Sequence, residues 1–218
     1  MKNVLTFLGD LKQNNNREWF QDNKSRYLEA KNEFEGFIGE LLPRLAEIDK
    51  DLAGLEPKHC VFRIYRDVRF SKDKSPYKTN MGAAMTRGGR KSPYATYYFH
   101  MEPGNAFAGG GIWLPQAPVL KAMRQEVYYN VDEFKKIIGS ASFKKHFTSL
   151  DGDMLKRPPR DFPADFPDVE LLMYKSYITG AKVDDSILET DKLQPQLLNI
   201  FKALHPFNSF INRALSDI

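Results

Sequence analysis

The segment YATYYFHMEPGNAFAGGGIWLP, residues 94–115, decides the fold class of this chain. Two runs of strand-forming residues, 94–102 and 106–114, flank the turn sequence EPGN. A connection this short can join only antiparallel neighbours, because parallel strands need a long crossover. The segment therefore predicts a β-hairpin.

Two more runs on the N-terminal side extend this hairpin. Residues 60–70 and 81–86 are rich in strand-forming side chains, and turn-rich sequences separate them from each other and from the hairpin. The pattern predicts an antiparallel meander running from residue 60 to residue 114. A later run, ITGAKV at 178–183, is predicted as a further strand that follows a short helix.

Helical patterns flank the sheet. Apolar residues recur at helical spacing through residues 15–45, and Asn15 with Glu18 has the spacing of a capping box. Pro43 is expected to end or kink this helix. Helical patterns return after Pro115, and the C-terminal helix is expected to break at 205–206.

These patterns together predict an α+β protein. We expect an antiparallel β-meander sheet packed by an N-terminal long helix and by C-terminal helices. The length of 218 residues suits a single domain, 1–218. The proline-studded segment 151–168 is long for a loop in a compact domain, so it could form a lid or a domain seam.

Composition points to a globular protein that contains no membrane span. The chain is 42% hydrophobic and 28% charged, and it has no apolar run of about 18 residues. Its one cysteine, Cys60, cannot form an internal disulfide, which favours a reducing compartment. We therefore expect a cytoplasmic location and no membrane partner.

Positive charge is concentrated in residues 58–91. This window holds ten lysines and arginines against two acids, a formal charge of +8, whereas the rest of the chain has a formal charge of −4. A local cationic surface on a mildly acidic protein favours a local anion site over general nucleic-acid coating. The alternative is an exposed hairpin whose basic side chains are only solvated.

The predicted strand 60–70 would divide its side chains between two faces. Arg66 would share the apolar face with Phe62, Ile64, Val68 and Phe70, where it needs a carboxylate partner or a place at the rim. The polar face, the adjoining loop and the strand near 94–102 supply the predicted anion-binding residues, which are Arg63, Tyr65, Arg69, Lys72, Lys78 and Tyr98.

The strand near 94–102 carries candidates for acid–base chemistry. Strand alternation places His100 and Glu102 on the same face as Tyr98, so both are catalytic candidates if a reaction occurs. The glycines at 109–111 allow close approach of a ligand, or they only permit tight sheet packing.

Several common sites are excluded by their spacing. The sequence GGG does not match a phosphate-binding loop or a dinucleotide fingerprint, so no cofactor is predicted. His100 and Glu102 lack a third ligand at a recognisable spacing, so no metal is predicted either. The sequence does not decide whether the protein is an enzyme.

Four long motifs resemble a known family. They are NNNREWF at 14–20, FRIYRDVRFSKDKSPYKTN at 62–80, YFHMEPGNAFAGGGIWLP at 98–115 and LLMYKSY at 171–177. Together they resemble the family filed as domain of unknown function 2461, whose members are mostly bacterial. The resemblance implies a single α+β domain, and it assigns no activity or catalytic residue.

Three functions remain open. The first is binding of a phosphate- or carboxylate-bearing small molecule on the cationic surface. The second is a nucleic-acid-binding module that stacks bases on Tyr65, Tyr77 or Tyr98, which the acidic remainder of the chain makes less favourable. The third is a protein-interaction scaffold that uses residues 157–167. The oligomeric state is not predicted.

Overall fold

A computed structural model describes residues 1–215 as helices around one antiparallel sheet. Within these residues the α-helices are α1 (Lys2–Gln13), α2 (Arg17–Asp22), α3 (Lys24–Ile48), α4 (Pro57–Cys60), α5 (Ala117–Tyr129), α6 (Val131–Gly139), α7 (Ala141–Lys144) and α8 (Leu193–Arg213). The strands are β1 (Met81–Met85), β2 (Thr96–Met101), β3 (Phe107–Ile112) and β4 (Tyr177–Lys182). Short 3-10 helices occupy Lys50–Leu52, Val169–Leu172 and Asp185–Ile187. The predicted α+β class is confirmed.

The sheet is an antiparallel meander with the strand order β1-β2-β3-β4. β2 and β3 form the predicted hairpin, in which Tyr98 lies opposite Gly109 and His100 lies opposite Phe107. β4 is the strand predicted near 178–183, and it reaches the edge beside β3 only after α5, α6 and α7. Among the described residues, no helix is long and apolar enough to cross a membrane.

One face of the sheet carries the hydrophobic core. Alternate side chains of β2 are buried on this face, namely Tyr97, Phe99 and Met101. The Phe99 ring stacks on Phe34 of α3 with centroids 6.0 Å apart, and Leu204 of α8 lies against Gly110. The predicted N-terminal and C-terminal helices therefore cover the same face.

The N-terminal helical segment is divided into two helices. Asn16 caps α2 by accepting the Trp19 N–H at 2.9 Å, and α3 begins after Asn23. Asn15, which was predicted to cap the helix, instead exchanges hydrogen bonds with the backbone of Tyr77 at 3.0 and 3.1 Å. Asn15 thereby joins the cationic segment, residues 58–91, to the N-terminal helices.

Two prolines lie inside helices that continue past them. Pro43 is within α3 and Pro206 is within α8. The predicted break at 205–206 is therefore wrong, and α3 does not end before Pro43. An internal proline costs about 3 kcal/mol, and the burial of neighbours such as Leu204 and Phe207 offsets that cost in α8.

The predicted strand at 60–70 is also wrong. Residues 57–60 form α4, and the following residues make only isolated bridges, Val61 to Ala83 and Tyr65 to Tyr77. The Lys78 N–H donates to the Ile64 carbonyl at 2.8 Å, so the segment folds back on itself. Strand propensity alone did not produce a strand, because pairing with the edge strand β1 stops after Val61 and Phe62 and the following residues bond to residues 76–78 of their own segment.

The segment 151–168 contacts the rest of the fold at its start and near its end. The Asp151 N–H donates to the Ile178 carbonyl at 2.8 Å, beside the edge of β4. The rings of Phe162 and Phe166 lie 5.5 and 4.9 Å from the Tyr128 ring of α5. The role of this segment as a lid or a seam stays a prediction.

Candidate functional site

The second face of the sheet is the floor of a groove of about 1500 Å³, which we call the sheet-face groove. Three glycines of its floor, Gly109, Gly111 and Gly180, belong to β3 and β4. Backbone therefore forms much of a surface that side chains would otherwise cover. The groove exceeds the range of about 300–1000 Å³ that is typical of ligand pockets.

The consecutive glycines permit tight sheet packing. A Cβ atom at Gly109, Gly110 or Gly111 would collide with a backbone carbonyl oxygen of a neighbouring strand. Gly180 differs, because its Cβ would meet only ordinary contacts, of which Asp151 Oδ2 at 3.6 Å is the nearest. The packing alternative is therefore supported for 109–111, and it does not account for Gly180.

Aromatic side chains form the walls of the groove. Phe62, Tyr98, Phe107 and Trp113 all border it. The Tyr98 ring contacts both Phe62 and Phe107, with centroid separations of 6.3 and 5.6 Å. Trp113 is 72% exposed, and Phe62 is 38% exposed. The walls therefore offer apolar surface that the protein itself leaves uncovered.

Tyr98, His100 and Glu102 form a hydrogen-bonded row along one side of β2. The Tyr98 hydroxyl lies 3.1 Å from His100 Nδ1, and His100 Nε2 lies 3.3 Å from Glu102 Oε2. Thr79 Oγ1 donates to Glu102 at 2.8 Å, and Asn105 donates at 3.0 Å. The alternation predicted from the sequence is confirmed here, and only Tyr98 of the row borders the groove.

The surroundings of the row shift the pKa values of Tyr98 and Glu102. Burial raises the pKa of Tyr98 to about 12, so the phenol is neutral at pH 7. Burial also opposes ionisation of Glu102, but hydrogen bonds from Asn105, Thr79 and His100 hold its pKa below the usual value. The row can therefore present a neutral phenol that is backed by an imidazole and a carboxylate.

Lys78 is a partly buried cation of this region. It borders the groove, and its Nζ lies 5.4 Å from the centroid of the Phe62 ring. Burial, together with the nearby charge of Arg63, lowers the pKa of Lys78. Within the part of the chain that the structure describes, no carboxylate oxygen lies within 4.0 Å of its Nζ. An ammonium group in this setting is unfavourable unless something compensates it.

Lys78 also borders a second cavity of about 360 Å³, which we call the polar cleft. Side chains with charged, hydroxyl or amide groups dominate its lining, among them Lys12, Arg66, Asp73, Ser75 and Asn80. Arg66, Lys78 and Asn80 border both cavities. The two cavities therefore meet along the segment 66–80.

Other predicted anion-binding residues lie farther from these cavities. Arg69 is exposed and pairs with Asp67 at 2.7 Å, and this hydrogen bonding lowers the pKa of Asp67 to about 2. Arg63 and Lys72 are exposed and border neither cavity. Tyr65 packs against the rings of Phe20 and Tyr77. The shared strand face that would have gathered these side chains does not exist.

Arg66 has the carboxylate partner that the sequence argument required. It forms an ion pair with Asp73, and hydrogen bonds from Ser75 and Arg66 hold the pKa of Asp73 well below its usual range. Lys74 donates to the Val68 carbonyl at 3.0 Å. Much of the cationic segment is therefore engaged in contacts within its own loop.

Metal-binding and thiol chemistry receive little support. No group of three or more His, Cys, Asp or Glu side chains among residues 1–215 is placed to hold a metal ion. Cys60 is fully buried, and burial raises its pKa to about 11, which suits a packing residue rather than a nucleophile.

Sequence reasoning missed three parts of this site. Phe62 was expected on the core side of a strand, yet it borders the groove. Phe107 was overlooked, although its two-residue spacing from Gly109 was a usable signal for a shared face. Lys12 joins the polar cleft from α1, and no local pattern links it to residues 66–80.

Comparison with known proteins identifies the family. No curated protein and no solved structure matches the chain significantly. A family model described as a conserved hypothetical protein (DUF2461) matches residues 3–210. The match spans the helices, the sheet and both cavities, so the chain belongs to the DUF2461 family.

Proposed function

We propose that the protein binds the phosphate or carboxylate group of a small molecule where the polar cleft meets the sheet-face groove. One observation carries the proposal: Lys78 is half buried between the two cavities, with no carboxylate in ion-pair range among residues 1–215. An uncompensated cation lowers stability, and a bound anion would relieve that cost.

Neighbouring groups support an anion at this position. Asn80 borders both cavities, and its amide group could donate a hydrogen bond. Arg66 borders both as well, although Asp73 shares its charge. Arg63 acts on Lys78 through its charge. A point charge from Lys and directed donors around it suit a phosphate or carboxylate.

In this proposal the exposed cations contribute to the electrostatic field around the site. Arg69 and Lys72 border neither cavity, so we assign them long-range attraction of the anion rather than contact. Such attraction falls with salt, whereas a contact with the partly buried Lys78 is screened less. Tyr65 has no contact role in this proposal.

Proton transfer is a second element of the proposal. Tyr98 would present its hydroxyl to a ligand in the groove, with His100 as the group that exchanges a proton with it. Glu102 would position His100 through the hydrogen bond to its Nε2. For a ligand that is turned over, His100→Asn should lower kcat more than it raises KM.

The nucleic-acid alternative has weaker support. Tyr77 is 3% exposed and stacks on Phe20 with ring centroids 3.9 Å apart, so it cannot stack on a base. Tyr65 packs on the same two rings, which leaves Tyr98 as the one residue of the predicted trio that borders the groove. A log-log salt slope near zero for oligonucleotide binding would remove this alternative.

The scaffold alternative is supported mainly by the proline content of residues 157–167. Both phenylalanines of this segment, Phe162 and Phe166, are half buried against Tyr128. They are therefore less available to a partner than the sequence alone indicates.

A thermal-shift screen with inorganic phosphate, nucleotides, sugar phosphates and organic acids tests the proposal. A ligand at about 100 times its Kd adds about 2.7 kcal/mol, which raises Tm by roughly 5–10 °C at this chain length. Lys78→Gln should abolish the shift, and the matched variant Lys72→Gln should keep it. Equal shifts in both variants, or no shift with any anion, would contradict the proposal.

A further inference from the structure

The two cavities that meet at Lys78 differ in chemical character. The polar cleft is bordered by Lys12, Ser75 and Asn80, which suit a charged headgroup, and the Asp73 carboxylate that also borders it is paired with Arg66. The sheet-face groove has a backbone floor and aromatic walls, which suit an apolar body. Lys78 borders both cavities, together with Arg66 and Asn80, and marks the junction.

Phe62 stands at this junction on the groove side. Its ring lies 5.4 Å from Lys78 Nζ and 6.3 Å from the ring of Tyr98. A ligand that places an anion beside Lys78 and continues into the groove would therefore pass along Phe62 and then Tyr98. From Tyr98 the floor continues across the sheet to Gly109 and Gly180, which lie opposite one another in register, and these two strand spacings add about 10 Å for an extended body.

Neither a small inorganic ion nor an uncharged apolar molecule would use the whole arrangement. A small ion would occupy the polar cleft and leave the apolar groove uncovered. An uncharged molecule would fill the groove and leave Lys78 uncompensated. The geometry points to an amphipathic anion, with its phosphate or carboxylate head in the polar cleft and its apolar body along the sheet-face groove. This inference rests on the proposed function and names the ligand class.

A substitution at Gly180 would alter the sheet-face groove, where the apolar body would lie, without altering the polar cleft, where the anionic head would lie. It lies on the groove floor in β4, and a Cβ there would meet Asp151 Oδ2 at 3.6 Å and Phe107 Cδ2 at 3.7 Å. Both are ordinary van der Waals distances to flexible side chains. Gly180→Val should therefore fold normally and place apolar volume where the body would lie, far from the polar cleft.

The test is a calorimetric titration with inorganic phosphate and with n-butyl, n-hexyl and n-octyl phosphate as monomers. Affinity should rise along the series by up to about fourfold for each added methylene group that is fully buried. Lys78→Gln should weaken every member, including inorganic phosphate. Gly180→Val should leave the affinity for inorganic phosphate unchanged and flatten the dependence on chain length. Its Tm, compared with that of the wild type, verifies that it folds.

Each contrary result has a distinct meaning. Phosphate binding that depends on Lys78 but is equal along the series would overturn the amphipathic ligand and leave the proposed function standing. No binding by any member would overturn both. A rise with chain length that Lys78→Gln does not weaken would indicate unspecific apolar adsorption and overturn the head assignment. Binding only to vesicles of phosphatidylglycerol, and not to monomers, would replace the monomeric ligand by a lipid surface.

Discussion

Two neighbouring tyrosines of β2 point to opposite faces of the sheet, and each meets a histidine and a carboxylate. On the core side, the Tyr97 hydroxyl donates to Asp49 at 2.9 Å and lies 2.8 Å from His205 Nδ1. On the groove side, Tyr98 lies beside His100, which in turn meets Glu102. The residue types are the same, but the surroundings differ.

The difference lies in what each set connects. Asp49 follows α3 and His205 belongs to α8, so the Tyr97 set joins both core helices to the sheet. The Tyr98 set lies in β2 and directly after it, with Thr79 and Asn105 as further partners of Glu102, and its phenol borders an open groove. Buried polar groups that join core elements contribute to stability, whereas polar groups beside an open cavity are available for function.

The largest expected effect is a difference in the free energy of unfolding between alanine substitutions at two glycines of the sheet. Gly110→Ala would press a methyl group against the Thr96 carbonyl and Leu204, so we expect destabilisation of about 3 kcal/mol. Gly180→Ala should change the free energy of unfolding by less than about 1 kcal/mol. Urea unfolding of both variants measures the contrast. Equal losses would show that Gly180 is as tightly packed as Gly110.

The next largest effect is a difference in the loss of stability between phenylalanine substitutions at the two tyrosines. Tyr97→Phe leaves Asp49 and His205 without their shared partner in a mostly buried site, and it should cost about 2 kcal/mol. Tyr98→Phe removes a hydroxyl at the border of the groove and should cost about 1 kcal/mol or less. Chemical denaturation of both proteins checks the ranking. A larger loss for Tyr98→Phe would reverse the roles assigned to the two sets.

The dependence of stability on pH in the acid range tests the structural role of the Tyr97 set. Hydrogen bonding to His205 and Tyr97, set against partial burial, holds the pKa of Asp49 below its usual value. The unfolded chain, with an aspartate pKa of about 3.9, then binds more protons in the acid range. The stabilisation from Asp49 is therefore present above about pH 4 and is lost as pH falls through the pKa of the folded state.

The stability difference between the wild type and Asp49→Asn should accordingly shrink as the solution is acidified. Unfolding curves collected between about pH 6 and pH 3 measure this difference. A difference that stays constant with pH would mean that the Asp49 carboxylate has no special stabilisation in the fold. Asp165, an exposed aspartate in the segment 151–168, is a suitable comparison site for substitution to Asn.

The smallest stability effect is expected at Lys78. Burial lowers its pKa, so the charged form is less stable in the folded protein than in the unfolded chain. Lys78→Gln should therefore leave the protein equally stable or up to about 1 kcal/mol more stable at pH 7. Lys72→Gln, at an exposed position, should have no effect. A clear loss of stability in Lys78→Gln would assign Lys78 a structural role.

The groove side of β2 was predictable from the sequence, because strand alternation is local. The run from Thr96 to Glu102 contains all the information that gathers Tyr98, His100 and Glu102. The core-side set was not predictable, since Asp49 and His205 are distant from Tyr97 along the chain and meet it only after α3 and α8 have packed.

The cationic segment explains the main failure of the sequence argument. Its composition predicted a strand, but pairing with β1 stops after Val61 and Phe62, and the loop that follows forms ion pairs within itself. Charge counting also could not distinguish Arg69, which has Asp67 beside it, from Lys78, which has no such partner among the described residues. That distinction depends on burial, and burial follows from tertiary structure.

The most direct measurement is the pKa of Lys78, obtained from the NMR chemical shifts of its side chain with and without saturating phosphate. The control is chloride at the same ionic strength. The account predicts a pKa below the ordinary lysine value in chloride and a clear rise in phosphate, because a bound anion favours the charged amine. An unchanged pKa in phosphate would mean that no anion reaches Lys78 and would contradict the proposed site.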